Sequence, residues 1–200
     1  MSNTTGHEVS RAEYWQQRYE QGYTGWDMRG ISPPLKAYFD QLKCRDLRIL
    51  IPGAGNAYEA AYLHQAGFSE VYVLDFAEIP LRRFAEQQAD FPAEHLVCAD
   101  FFTWQAEPFD LVVEQTFFCA IDPARRTEYA QKTHRLLKAG GRLVGLLFDC
   151  EFKNGPPFSG SRAEYETLFA PYFDFATFET CHNSVGPRAG RELFINLIKK

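Results

Sequence analysis

No two cysteines are placed to cooperate. Cys44, Cys98, Cys119, Cys150 and Cys181 are odd in number and far apart, and C-x-x-C does not occur. Neither a disulfide framework nor a structural zinc site is expected, and the reducing cytoplasm is the default compartment. His7, His64, His95, His134 and His182 are equally scattered, so no metal-ligand spacing appears. Long apolar runs are missing too; none approaches the roughly 18 residues of a membrane span. The start, M-S-N-T-T-G-H-E, lacks the apolar stretch of a secretion signal. Positive charge is short: 21 Lys and Arg stand against 26 Asp and Glu, a net charge of −5. A phosphate backbone needs a basic face, so neither nucleic acid nor membrane is an expected partner. There is no internal repeat and no low-complexity block.

What is there is an ordinary globular composition, with 46% apolar and 24% charged residues in 200. That length favours a single domain spanning 1–200, which buries about 70% of its unfolded surface without staples. A monomer or a weak homo-oligomer is the expected state.

Residues 11–21 have helical spacing, with Tyr14, Trp15 and Tyr19 near one face and Gly22 to end the helix. A loop punctuated by Gly and Pro follows at 23–34, then a short helix at 35–42. The stretch 11–42 is read as an N-terminal helical cap or lid. Beyond it the rhythm changes. Short apolar runs at 48–52, 71–75, 95–99, 109–114 and 141–148 alternate with helical stretches at 57–66, 78–90 and 123–137. Asp122 is a good N-cap and Pro123 a good first helical residue. Another helix is predicted near 162–169, between late strands at 173–180 and 191–198 and a Gly- and Pro-rich loop at 154–160. Strands alternating with helices give an α/β fold: a doubly wound, mostly parallel, seven-stranded sheet covered on both faces. The late pair has no convincing helix between its members, so an antiparallel hairpin is expected at one edge.

Ligands of such sheets sit beyond the carboxyl ends of the strands. The first strand ends in I-P-G-A-G-N-A-Y-E (51–59). Gly53 permits a tight turn there, and Gly55 lets a ligand approach the backbone. Asp75 ends the second strand, where a carboxylate can accept both hydroxyl hydrogens of a ribose. A dinucleotide fingerprint wants a third glycine where this chain has Tyr58, and no second nucleotide-binding half is visible. A single nucleoside-sized ligand fits better than NAD. Asp100, after the third strand, has two readings: an acceptor for an adenine amino group with Phe101 against the ring, or an N-cap for a turn at 101–104.

The chain resembles class I S-adenosyl-L-methionine (SAM)-dependent methyltransferases, Rossmann-like enzymes. Within them it is most similar to the thiopurine S-methyltransferase family, in its halide/thiol branch. The resemblance runs roughly from Trp15 to Lys199. It rests on Y-W-Q-Q-R-Y-E-Q-G-Y-T-G-W-D (14–27), I-P-G-A-G-N-A-Y-E, V-L-D (73–75), A-D-F-F-T-W (99–104), F-D-L-V-V-E-Q-T-F-F-C-A-I (109–121), L-L-K-A-G-G-R-L (136–143) and G-P-P-F (155–158). It implies SAM as cofactor and a small soft nucleophile as acceptor: a thiol or thiopurine, sulfide, a halide or a chalcogen anion. It also implies that Trp15, Tyr19 and Trp26 close over the cofactor, although position 19 is Trp in plant-type relatives. Gly53 matches the glycine beside the amino-acid part of SAM, Asp75 the ribose acid, and Asp100 with Phe101 the adenine site. Gln115 stands where relatives commonly carry an aromatic residue, and Ala57 where many have a third glycine.

Phe117 and Phe118 are candidates for the acceptor wall, with ordinary core packing as their other reading. Trp15 and Trp26 likewise read either as cofactor contacts or as aromatics docked on the core. Cys119 has no evident base partner and reads as a buried apolar side chain. Arg125, Arg126 and Arg188 read either as anion-steering groups or as solvated surface. Displacement at a sulfonium carbon needs no covalent or acid–base residue, so no catalytic side chain and no metal are assigned. The competing classes are a nicotinamide-dependent oxidoreductase and a non-enzymatic SAM-binding sensor.

Overall fold

Seven strands form one sheet in the order β3-β2-β1-β4-β5-β7-β6. The structure, a computed structural model, describes residues 6–200. Most of the polar start read from the sequence lies outside the described residues. The strands are β1 (Ile49–Pro52), β2 (Val71–Asp75), β3 (Leu96–Cys98), β4 (Phe109–Gln115), β5 (Leu137–Phe148), β6 (Phe173–Thr180) and β7 (Glu192–Lys199). The helices are α1 (Gly6–Val9), α2 (Ala12–Gln21), α3 (Pro33–Phe39), α4 (Tyr58–Gln65), α5 (Glu78–Gln87), α6 (Arg126–Leu136) and α7 (Arg162–Phe169). No helix among the described residues is long and apolar enough to cross a membrane.

The central strands are apolar throughout because both sheet faces are covered. All four residues of β1 are buried. Alternate side chains feed two cores. Leu50, Val112 and Leu143 join Tyr129, Tyr165 and Phe169 on one face. Ile49, Ile51, Val73 and Val113 join Leu35, Phe39, Leu63 and Phe84 on the other. α3 is therefore part of the core, with Leu35 and Phe39 almost fully buried, and Ser32 N–H beside it donates to Glu59 Oε1 at 3.0 Å. Of the stretch 11–42 read as a cap, only the part before α3 lies outside the sheet's own layers.

Two boundaries differ from the sequence reading. Asp122 does cap, accepting from Ala124 N–H at 3.0 Å, but the cap opens a 3₁₀ turn at Pro123–Arg125 before α6 begins. β5 starts at Leu137, four residues before the expected glycine, and absorbs Gly140 in a register shift against Phe109 and Leu111. The late hairpin does occupy one edge, but β7 inserts between β5 and β6 and runs antiparallel to both. The antiparallel strand thus lies one place in from the edge, and β6 forms the edge itself.

Candidate active site

A cavity of about 590 Å³ opens beyond the carboxyl ends of β1, β2, β3 and β4. Its size falls in the range of roughly 300–1,000 Å³ typical of small-ligand sites. Three groups of residues enclose it.

The floor comes from the strand ends. After β1 the chain makes a left-handed turn, with φ of 58° at Gly53, 53° at Gly55 and 52° at Ala57. The methyl group of Ala57 is accommodated in the core at 1% exposure. Asp75 fixes this turn: Oδ2 accepts from Gly55 N–H at 3.0 Å, and Oδ1 accepts from Ala77 N–H at 2.9 Å. Burial pushes the carboxyl up to about 6, the N–H donors opposing it. Asp100 Oδ1 accepts from Phe102 N–H at 2.9 Å, so the capping role expected of Asp100 is real. Asp100 also lines the cavity beside Phe101, so the two readings of its position are compatible.

The front wall is α2 and the loop after it. Trp15 and Trp26 meet edge-to-face at 5.4 Å, and Tyr19 meets Trp26 at 5.7 Å. All three line the cavity and pack with Ala77 and Ile79. Trp15 Nε1–H donates to Val9 O at 2.8 Å. Burial, then the nearby Asp75, push the Tyr19 hydroxyl far up, so it stays protonated. That hydroxyl sits over Gly55, where a Cβ would come within 2.7 Å of it.

The far wall is aromatic and apolar: Phe117, Cys119, Ile121, Phe148, Phe152 and the prolines Pro156 and Pro157 of the G-P-P-F segment. Phe158 N–H donates to Cys119 O at 2.7 Å, which ties that loop to the segment after β4. Two cations reach this wall. Arg125 lies 3.4 Å above the Phe102 ring and pairs with Glu128. Arg188 donates to Trp26 O at 2.9 Å and pairs with Glu192 at 3.3 Å. Arg126, the third arginine singled out, is a core residue; it is 5% exposed and bonds Ser159 O and Glu164. Cys119 is buried, and desolvation followed by Glu114 pushes its thiol well up, which keeps it un-ionised.

Phe118 is not on the cavity. It is 1% exposed and packs on Tyr129, Tyr165 and Phe169. The reason lies in Glu114, which sequence reasoning passed over. One carboxylate oxygen of Glu114 accepts from both Phe117 N–H and Phe118 N–H at 2.8 Å, and the other accepts from Tyr129 O–H at 2.6 Å. Thr116 turns the chain at φ 60°, and the two phenylalanines leave this clamp for opposite destinations, cavity and core. Complete burial pushes Glu114 up to about 7. An acid inside an apolar strand, V-V-E, was the available signal, because a buried carboxylate demands partners.

Gln115 and Gly55 face a second, smaller pocket of about 50 Å³, shared with Asp27, Asn56 and Glu59. The two spaces have Trp26, Gly53 and Thr116 in common. Gln115 Oε1 is buried there without a hydrogen-bond partner. Tyr58, at the position of a dinucleotide fingerprint's third glycine, lines the same pocket with its hydroxyl 3.4 Å from Asp27.

A model of the thiopurine S-methyltransferase family matches residues 10–194. The probable thiol methyltransferase 2 of Arabidopsis thaliana is 33% identical over 184 residues, covering 89% of this chain and 81% of that protein. Thiocyanate methyltransferase 1 of Brassica oleracea is 31% identical, covering 89% of this chain and 81% of its own. A thiopurine S-methyltransferase of Vibrio cholerae is 30% identical, covering 78% and 80%. Among solved structures, a Burkholderia thailandensis 1,6-didemethyltoxoflavin-N1-methyltransferase with bound S-adenosylhomocysteine aligns with a TM-score of 0.77. That alignment covers 100% of this chain and 92% of the other at 20% identity, a likeness of fold. Matched by the family model along nearly its whole length, and 33% identical to a relative covered over most of both chains, the chain belongs to the thiopurine S-methyltransferase family and is a SAM-dependent methyltransferase.

Proposed function

We propose that this protein methylates a small thiol, taken as its thiolate, by in-line displacement. The observation that carries this reading is the far wall: Arg188, fixed by Trp26 O and Glu192, stands with Arg125 in a surface built largely from aromatic and aliphatic groups.

The residues present fit the cofactor. Asp75 takes the ribose hydroxyls, and Asp100 with Phe101 takes the adenine. The small pocket offers acceptors for an ammonium group: the partnerless Gln115 Oε1 and the carboxylates of Asp27 and Glu59. Trp15, Tyr19 and Trp26 enclose the place of a sulfonium, whose charge is attracted to an aromatic face. When bound, SAM supplies an electrophilic methyl carbon on a positively charged sulfur.

The chain's own contribution is alignment and exclusion of water. An anion attacking a cation loses charge separation on the way to the transition state, and water opposes that loss. The aromatic walls remove this penalty, and fixed geometry removes more of the barrier. A free thiol, with a pKa of about 8.5, is only partly ionised at neutral pH, and a fixed guanidinium raises that fraction. Arg188 does this here, held by Trp26 O and Glu192. The thiol proton leaves to solvent before attack.

The oxidoreductase reading is not favoured by membership of a methyltransferase family. The sensor reading leaves the acceptor wall without a purpose. A panel of nucleophiles with methyl-labelled SAM tests the proposal: an aliphatic thiol, an aromatic thiol, hydrogen sulfide, thiocyanate and iodide. Label is expected on thiols first. Tight S-adenosylhomocysteine binding with no label transferred to any of them would leave only the sensor.

A further inference from the structure

Gly53, which the family resemblance sets beside the amino-acid part of the cofactor, is already covered. The Phe117 ring lies on Gly53 so closely that a Cβ there would come within 2.2 Å of Cδ2. Gly53 follows β1, which lies between β2 and β4 in the sheet. A ligand reaching from Asp75, at the end of β2, to the acceptors around Gln115, at the end of β4, must cross Gly53. The ring therefore stands where the two pockets meet, at Gly53.

The surroundings leave the ring free to leave Gly53 while its backbone stays. Both N–H groups at 117 and 118 are clamped by Glu114, and Thr116 Oγ1 bonds Gln115 O at 2.7 Å. Beyond the clamp, Phe117 is half-buried and borders the 590 Å³ cavity, touching Phe101 and Tyr129 edge-on at 5.3 and 6.0 Å. A turn of the side chain toward that space would uncover Gly53 without requiring a change in the backbone bonds to Glu114.

We propose that Phe117 is a displaceable partition: the amino-acid arm of the cofactor pushes the ring off Gly53, and the displaced ring completes the acceptor wall. The inference rests on the cofactor reading given above. It makes the protein's affinity for the arm lower than the contacts alone would give, because only molecules with the ring turned away accept it. It also sets an order. The acceptor wall is finished only once the arm is in place, so the nucleophile meets a complete site after the cofactor and not before.

The test compares two ligands by calorimetry on the full chain. S-adenosylhomocysteine carries the arm; 5′-deoxy-5′-methylthioadenosine lacks it. In Phe117→Ala the first is expected to bind about tenfold more tightly than in wild type, while the second stays within about twofold, the ring's closed population having been removed. Phe117→Leu, which keeps an apolar contact with Phe101 and Tyr129, is expected to shift the ratio in the same direction by less. Thermal unfolding of each variant identifies any that is misfolded, and the leucine variant then decides. An unchanged ratio in a folded variant, or a loss of S-adenosylhomocysteine affinity, overturns the proposal: Phe117 is then a static contact on Gly53. Failure of both ligands to bind the wild-type protein instead overturns the cofactor reading itself.

Discussion

Asp75 faces the cavity and also accepts two backbone N–H groups, and this decides how its role is measured. Alanine there would strand Gly55 N–H and Ala77 N–H, at about 1–3 kcal/mol of stability each. Asp75→Asn keeps one carbonyl oxygen and is the cleaner variant. It is expected to fold and to weaken SAM binding by about 1.5–3 kcal/mol, the worth of hydrogen bonds to a charged group. Unchanged affinity in calorimetry would remove Asp75 from the site. The pH profile separates the charge from the shape. The free carboxyl is raised to about 6 by burial. Ribose hydroxyls donate to the ionised form, so bound cofactor pulls that value down. Affinity for S-adenosylhomocysteine should therefore rise between about pH 5 and 7 and release a proton below about pH 6. In Asp75→Asn the rise should vanish; a flat wild-type profile would contradict the assignment.

At the scale of elements, α2 and the loop to Trp26 are attached differently from everything else. Few bonds tie them to the sheet: Gln16 with Ile79 N–H at 3.4 Å, Arg83 with Tyr19 O at 3.4 Å, and Trp26 O with Arg188. Gly22, at φ 71°, marks a bend between helix and loop. This segment is proposed to settle when cofactor binds. Protease is expected to cut it quickly in the free protein and slowly with S-adenosylhomocysteine; equal protection in both states would make it a static wall. Removing residues 1–30 should leave a folded sheet, since α3 and β1 keep their own core, but should abolish methyl transfer. The same elements show how far sequence reaches. β2 was legible to the residue because V-Y-V-L-D is an apolar run that begins soon after Gly67 and closes on its own acid. The start of β5 was not, because L-K-A-G-G has the composition of a helix stop and its extended shape comes from pairing with β4. Spacing put Trp15 and Tyr19 near one helix face, while Trp26 was singled out only by the family resemblance; all three line the cavity. Glu114 and the inward turn of Phe118 were missed, because a clamp made across a tight turn leaves no periodic trace.

For the molecule as a whole, buried carboxylic acids without an ion-pair partner bear on the response to pH: Asp75, Glu114 and Glu59, which burial raises in the same direction. Asp75 is raised from 3.8 to about 6, and Glu114 from 4.5 to about 7. Each holds its proton more firmly folded than unfolded. Their favourable contribution is complete below the unfolded values and is lost as pH rises through the folded ones. The cofactor-free protein should lose melting temperature from about pH 4 to 7, and Glu114→Gln should flatten the upper part of that fall. An identical slope in both proteins would show that Glu114 stays protonated or paired throughout. The whole-molecule topology was legible only as a class: alternating strands and helices announce a parallel sheet, but strand order depends on partners far apart in sequence. Here that order governs manufacture. Among the described residues β6 bonds only to β7, and β7 follows β6 in the chain. On the ribosome, the first five strands can assemble while residues 173–180 wait with no neighbour to receive them. The sheet's far margin is thus finished only after β7 has followed β6 out of the exit tunnel, and until then β5 presents a bare ladder on which a chaperone, or another nascent chain, can act.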